Sequence, residues 1–335
     1  MPELQRIAII GAGAWGTALA TVAWRAGRDV AIWGRSPEIT AEINGSHSNK
    51  TYLPDIALDP AIHAASDLAM LHDADAALWV TPAQHLREIA ARAAPHLRDG
   101  TPVVLCCKGF EQGSGELMTE VAAEALPKSS IAVLSGPTFA AEVARGLPTA
   151  VTLAATDSAL GRALVQALGT AAFRPYLSAD PVGAEVGGAV KNVLAIACGI
   201  AIGRKLGDNA RAALLTRGLA EIMRLGLALG AEPATLMGLS GLGDLTLTCN
   251  GRQSRNLSLG IALGEGQKLA DYLAGRRTVA EGVSSAGAVV ARARSLKVEM
   301  PIADAVDAIV NRNAGIGETI STLLSRPFKE ETASV

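Results

Sequence analysis

Residues 186–203 read VGGAVKNVLAIACGIAIG, and Lys191 is the one charged side chain in that run. An ammonium in an otherwise apolar helical stretch is costly to bury unless something pairs with it or uses it. Burial lowers a lysine's pKa towards neutrality, where an amine can give and take protons. Gly187 and Gly188 lie four and three residues earlier, on the same helical face. They predict open room for a small molecule beside the amine. The same pattern also suits a lysine that snorkels to water from the edge of a core helix. The stretch alone leaves both readings open.

A second candidate lies near the start of the chain. RIAIIGAGAWGTALA places Gly11, Gly13 and Gly16 in a GxGxxG pattern. The pattern alone is a weak signal. Here it follows an apolar strand, opens a helix and begins a βα series, the context of a dinucleotide loop. The first glycine permits the tight turn. The second lets a pyrophosphate approach amides at the helix N-terminus, and the third lets helix and strand pack closely. The next strand ends in IWGRSPE. NAD-selective sites usually carry an acidic residue there, about 20 residues beyond the loop, to bind the ribose 2′-hydroxyl. Arg35 stands in its place, and a guanidinium suits a 2′-phosphate. NADP(H) is therefore the expected cofactor, with NAD(H) possible. Arg35 as a solvated surface residue stays open, and Glu38 falls in the following turn.

Further segments carry polar groups of the right kinds. GGAVKN holds Lys191 and Asn192, and GLSGLGDLTLTC holds Asp244 and Thr248 in a glycine-rich stretch. QSRN brings Ser254, Arg255 and Asn256 to the start of a predicted helix, a natural grip for a phosphate. CCKGFE (106–111) and SGPTFA (135–140) each follow a predicted strand, so they fall at the carboxyl edge of the sheet, where α/β proteins bind ligands. Taken singly, each segment suits an ordinary turn or cap. Their joint presence behind a dinucleotide loop points to catalysis.

The elements that must position these groups change character along the chain. Apolar runs predict strands at 6–10, 29–33, 76–80, 101–106, 131–134, 151–155 and 173–177, with a helix at 15–26 capped by Gly27. Thr81 and Pro82 read as the N-cap and first-turn proline of another helix. Repeated βα units predict a parallel, doubly wound sheet. Beyond about residue 180 helical runs dominate, at 182–202, 210–229, 256–263, 284–295 and 301–311. The division expected is a dinucleotide-binding domain over 1–179 and a helical substrate-binding and catalytic domain over 180–335. The eight residues from Phe328 onward read as a frayed end.

Composition narrows the class. Of the 335 residues 49% are hydrophobic but only 3% aromatic, which favours closely packed helices and α/β layers. A net charge of -2 gives no electrostatic case for nucleic acid or an anionic membrane. Four cysteines, at 106, 107, 198 and 249, show no CxxC spacing, so neither a disulfide framework nor a metal site is expected. This fits a reducing cytoplasm. No basic and apolar leader pattern precedes the first strand. The apolar run 193–203 is shorter than the roughly 20 residues a membrane span needs, and it reads as a buried core helix.

With these segments in hand a resemblance stands out. GAGAWGTALA, VLCCKGFE, SGPTFAAEVARGLPTA, GGAVKNVLAIACGIAIG, TRGLAEIMRLG, GLSGLGDLTLTC and QSRN, in order over about residues 6–325, resemble the bacterial-type NAD(P)-dependent glycerol-3-phosphate dehydrogenases. The resemblance implies a Rossmann-like N-terminal domain and an all-helical C-terminal domain like that of 6-phosphogluconate dehydrogenase. It implies reversible reduction of dihydroxyacetone phosphate to sn-glycerol 3-phosphate for phospholipid synthesis, by a cytoplasmic homodimer. It implies Lys191 as the catalytic proton acceptor of the oxidative direction, with Asp244 and Lys108 beside it in catalysis. Lys108, Gly136, Thr138, Lys191, Asn192, Asp244, Thr248, Ser254, Arg255 and Asn256 match substrate positions. Ala14, Trp15, Arg35, Lys108, Ala140, Arg255, Val279 and Glu281 join the loop glycines at cofactor positions. One departure is Ala14, where the family often has serine, so a hydroxyl near the pyrophosphate is lost while the backbone amides remain. Two other readings stay open: a related two-domain 3-hydroxy acid dehydrogenase, which would want a carboxylate clamp, and a non-catalytic NADP(H)-binding sensor.

Overall fold

The computed structural model describes residues 3–274, 280–328 and 330. The chain divides into two compact units, Met1–Lys108 with Met118–Pro181, and Gly109–Leu117 with Val182–Val335. The excursion over Gly109–Leu117 departs from a simple division near residue 179. Its two large apolar side chains explain it: Phe110 and Leu117 bridge to each other and are buried in the second core.

In the first unit the strands are β1 (Arg6–Ile10), β2 (Asp29–Trp33), β3 (Ser48–Asn49), β4 (Leu53–Ala57), β5 (His63–Ala65), β6 (Ala76–Trp79), β7 (Val103–Leu105), β8 (Ile131–Ser135), β9 (Thr149–Ala154) and β10 (Phe173–Ser178). Its helices are α1 (Ala14–Arg25), α2 (Pro37–Ser46), α3 (Leu86–Ala93), α4 (Met118–Ala125), α5 (Ala140–Ala144) and α6 (Ser158–Leu168). One sheet has the order β10-β9-β8-β7-β6-β1-β2-β5. Strands β5, β2, β1, β6, β7 and β8 run parallel. Numbered by themselves they have the order 3-2-1-4-5-6 of a dinucleotide-binding sheet. The wholly parallel sheet expected from the βα repeats is corrected at one edge, where β9 pairs antiparallel with β8 and β10 follows β9.

The central strands are buried on both faces, and this makes them continuous apolar runs that periodicity finds easily. The short strands β3, β4 and β5 lack such a run and were not expected. Thr81 and Pro82 do not open a helix. A 3₁₀ turn at Ala83–His85 intervenes before α3, and the buried Thr81 Oγ1 has no hydrogen-bond partner among the described residues.

The second unit is helical: α7 (Pro181–Gly203), α8 (Asp208–Ala228), α9 (Pro233–Leu236), α10 (Asp244–Asn250), α11 (Arg255–Gly264), α12 (Leu269–Leu273), α13 (Glu281–Ser295), α14 (Pro301–Arg312) and α15 (Ile316–Leu324). Helix α7 has 23 residues, so it is long and apolar enough to cross a membrane, unlike the shorter run expected from sequence. Its most apolar window is 83% buried inside the fold, and a helix that is hydrophobic all round belongs in a core.

Helix α14 starts against a carboxylate from elsewhere. Glu221 on α8 accepts the N–H of Ile302 at 2.6 Å and of Ala303 at 3.1 Å, two donors a helix cannot satisfy itself. Burial pushes Glu221 up to about 7, against the pull of those two N–H groups and of Arg224.

Candidate active site

The first unit contributes a surface made of backbone. The chain leaves β1 through Gly11 at φ +126°, the left-handed side favoured by glycine. A Cβ on Gly16 would lie 1.8 Å from the Gly11 carbonyl oxygen, so helix and turn meet only because that atom is missing. At Gly13, the N-cap of α1, an added Cβ would meet nothing within 4 Å. No side chain caps α1 and no acidic residue sits in its first turn, so its first amides have no intrahelical acceptor. Open backbone, unsatisfied N–H groups and the positive end of a helix are what an anionic pyrophosphate requires. The residues present fit a dinucleotide. Ala14 and Trp15 are the first two residues of α1.

Arg35 follows β2 and is exposed. Ser36 caps α2, accepting the Ile39 N–H at 3.4 Å, and donates to the Glu38 carboxylate at 2.5 Å. That hydrogen bond holds the Glu38 carboxyl below its ordinary range. Sequence spacing put Glu38 out of play, but the fold bends its carboxylate back onto Ser36, next to Arg35. Further along the same sheet edge, Lys108 Nζ donates to the Gly136 carbonyl at 3.2 Å and Thr138 Oγ1 donates to the same oxygen at 3.3 Å. Ala140 opens α5.

The second unit contributes buried side chains. Lys191 is 6% exposed and Asp244 0%. Lys191 Nζ donates to Asp244 Oδ1 at 2.5 Å and to Thr248 Oγ1 at 2.9 Å. Lysine on α7 and both oxygens on α10 thus form one cluster, and the snorkelling reading is excluded. The local reason is Gly187. A Cβ there would lie 2.4 Å from the Ser240 carbonyl oxygen and 2.8 Å from Gly241 Cα. Without it the Leu239–Gly243 turn lies directly on α7 and delivers Asp244 to Lys191. This corrects the expectation that Gly187 opens room for a ligand, because backbone fills that space.

The other second-unit residues form a neighbouring chain of bonds. Asn256 Nδ2 donates to Asn192 Oδ1 at 2.9 Å, and Asn256 Oδ1 accepts the Gly282 N–H at 2.9 Å. Asn256 was expected to grip a phosphate, but its acceptor and one donor are taken internally, and it orients Asn192. Ser254 caps α11 by accepting the Leu257 N–H at 3.2 Å. Arg255, at the first position of α11, is exposed. Glu281 opens α13, and Val279 lies outside the described residues. Asn49 and Glu221 escaped the sequence reading. Both lie in unremarkable sequence, and their partners are far away along the chain.

The glycine loop on a sheet of this order, with a buried lysine–carboxylate pair on a helical unit, defines a nicotinamide-dinucleotide-dependent dehydrogenase of two units. Comparison with known proteins makes the class specific. The description "NAD-dependent glycerol-3-phosphate dehydrogenase N-terminus" matches residues 6–161, and the corresponding C-terminus matches residues 180–321. A protein named glycerol-3-phosphate dehydrogenase [NAD(P)+] from Parvibaculum lavamentivorans is 59% identical over 328 residues, 98% of each chain. One of the same name from Caulobacter vibrioides is 59% identical over 327 residues, 98% of this chain and 99% of its own. The crystal structure of glycerol-3-phosphate dehydrogenase from Coxiella burnetii is 40% identical with a TM-score of 0.92, covering 96% of this chain and 99% of that one. The chain belongs to the NAD-dependent glycerol-3-phosphate dehydrogenase family.

Proposed function

We propose that this protein catalyses the reversible reduction of dihydroxyacetone phosphate to sn-glycerol 3-phosphate, feeding glycerophospholipid synthesis. The observation that carries the chemistry is the buried Lys191–Asp244–Thr248 cluster. The nicotinamide cofactor, when bound, supplies the hydride. Lys191 donates a hydrogen bond to the carbonyl oxygen and gives it a proton as negative charge develops there. Asp244 and Thr248 hold the amine in one position, each accepting one of its N–H groups. Arg255, at the N-terminus of α11, grips the phosphate, so binding energy at a non-reacting group orients the carbonyl. Asn192, oriented by Asn256, completes the polar lining on the helical unit.

NADP(H) is the preferred cofactor and NAD(H) a usable one, because Arg35 stands where an NAD-selective site carries an acid. Arg35→Asp, titrated with both cofactors, should reverse the preference, and an unchanged ratio would remove Arg35 from that role. The enzyme works in the cytoplasm as a homodimer, which sedimentation of the purified chain checks. The decisive assay follows the reduced-nicotinamide absorbance on mixing enzyme, NADPH and dihydroxyacetone phosphate. Loss of absorbance that needs the phosphorylated substrate supports this reading. Equal activity on unphosphorylated keto acids would favour a hydroxy acid dehydrogenase. Arg255→Ala should mainly raise the KM for dihydroxyacetone phosphate, and an unaltered KM would refute the phosphate role.

A further inference from the structure

The small antiparallel pair β3–β4 stands apart from the main sheet and carries one deeply buried amide. Asn49 is 1% exposed. Its Nδ2 donates to the Ala12 carbonyl at 2.9 Å and to Thr17 Oγ1 at 2.8 Å. Its Oδ1 accepts the Tyr52 N–H at 3.4 Å, and its own carbonyl accepts the same N–H at 3.3 Å, so the hairpin fixes the side chain from behind. Ala12 lies between Gly11 and Gly13, inside the glycine loop, and Thr17 is the fourth residue of α1.

A trans peptide points its C=O and the following N–H in opposite directions. The described residues contain no cis peptide bond. With the Ala12 carbonyl drawn onto Asn49, the Gly13 N–H must point away from the hairpin. An added Cβ at Gly13 would meet nothing within 4 Å, so the backbone is open there. Glycine loops are free to rotate such a peptide, so something outside the loop has to choose its orientation. Both donors of one buried amide, given to the loop and to the helix behind it, make that choice.

We propose that Asn49 is a positioning residue of the nucleotide site, locking the Ala12–Gly13 peptide so that the Gly13 N–H is presented to the pyrophosphate of the cofactor. This rests on the dinucleotide reading of the loop. The group served is the diphosphate common to NADPH and NADH, so both cofactors depend on Asn49 to the same degree.

The test uses the full chain with Asn49→Ala and Asn49→Asp. The second variant keeps the shape and the acceptor but removes both donors. Dissociation constants for NADPH, NADH, ADP-ribose and adenosine 2′-monophosphate are measured by fluorescence or calorimetric titration, alongside thermal unfolding and steady-state kinetics. For both variants the constants for the three diphosphates should rise together by about tenfold, the loss expected when one hydrogen bond to a charged group is misaligned. Adenosine 2′-monophosphate, which has no diphosphate, should bind as it does to the natural chain. With saturating cofactor, kcat and the KM for dihydroxyacetone phosphate should stay within about twofold, since Asn49 touches neither. Diphosphate constants unchanged in a folded variant overturn the proposal, and so does equal weakening of adenosine 2′-monophosphate. If the natural chain binds none of the diphosphates, the dinucleotide reading itself fails, which is a different result.

Discussion

In the first unit the groups we assign to a ligand are main-chain amides, exposed by missing side chains. In the second it is the amine of Lys191, largely buried and held by Asp244 and Thr248. The difference follows from the task. A pyrophosphate is a spread anion that several weak, fixed dipoles hold well. A proton transfer needs one strong group at one point, and a low-dielectric setting that makes its hydrogen bonds count. The first kind of site is intolerant of added atoms, the second of removed ones.

The largest effects should separate the two units cleanly. Lys191→Ala should lower turnover by about 10²–10⁴-fold while cofactor affinity stays near that of the natural chain. Gly16→Ala should do the reverse. Its new Cβ meets the Gly11 carbonyl at 1.8 Å, and relieving that overlap should weaken NADPH binding by about 100-fold, from roughly 3 kcal/mol of strain. Titration of both variants against NADPH reads this directly, and turnover loss in Lys191→Ala that merely tracks lost cofactor binding would collapse the comparison.

Stability should show the same asymmetry one step down. Asp244→Ala leaves a buried ammonium without its carboxylate and should destabilise the fold by about 3–5 kcal/mol in urea denaturation. The double variant Lys191→Met/Asp244→Leu should recover most of that loss, because no charge is left unpaired. A double variant as unstable as Asp244→Ala would mean that packing rather than the ion pair sets the effect.

Glu221 offers a third measurement, on the second unit alone. Its folded pKa of about 7 lies above the ordinary 4.5 because burial disfavours the carboxylate. Its contribution to stability is therefore full below pH 4.5 and is lost as pH rises through 7. Relative to Glu221→Gln, which does not titrate, the natural chain should lose roughly 3 kcal/mol across that window. A pH-independent difference between the two would disprove the shift.

The smallest effect is expected on the exposed rim of the first unit. Glu38→Gln removes a carboxylate held on Ser36 beside Arg35. NADPH should bind about two- to fivefold tighter at low salt with NADH nearly unchanged, in the range of exposed charge pairs. An unchanged ratio of the two affinities would place Glu38 away from the 2′-phosphate.

Much of this could be read from residues in order. β1 and β2 begin and end where their apolar runs do, and α7 exceeds its expected limits by one residue at each end. These elements are written in contiguous apolar residues with a single periodicity. The strands β3, β4 and β5 escaped because each is short and none carries a continuous run of large apolar residues, and they form strands only through neighbours. Lys191 was singled out by its type in the wrong surroundings. Its partners were named through a resemblance, since no local pattern ties residue 191 to residues 244 and 248.

The sequence by itself determined the glycine loop, the βα order of the first unit, the helical character of the second, and the presence of one anomalous lysine. All of these are local, set by backbone freedom and by the spacing of apolar side chains along a few turns. Only the tertiary structure decided that Gly187 makes room for a backbone turn rather than a ligand. It alone delivered Asp244 to Lys191, turned Asn256 onto Asn192, and brought Asn49 to the Ala12 carbonyl from a hairpin outside the sheet. Each of those contacts joins residues 37 to 64 positions apart. At such separations the chain's own spacing no longer constrains which groups meet, and close packing of the whole fold does.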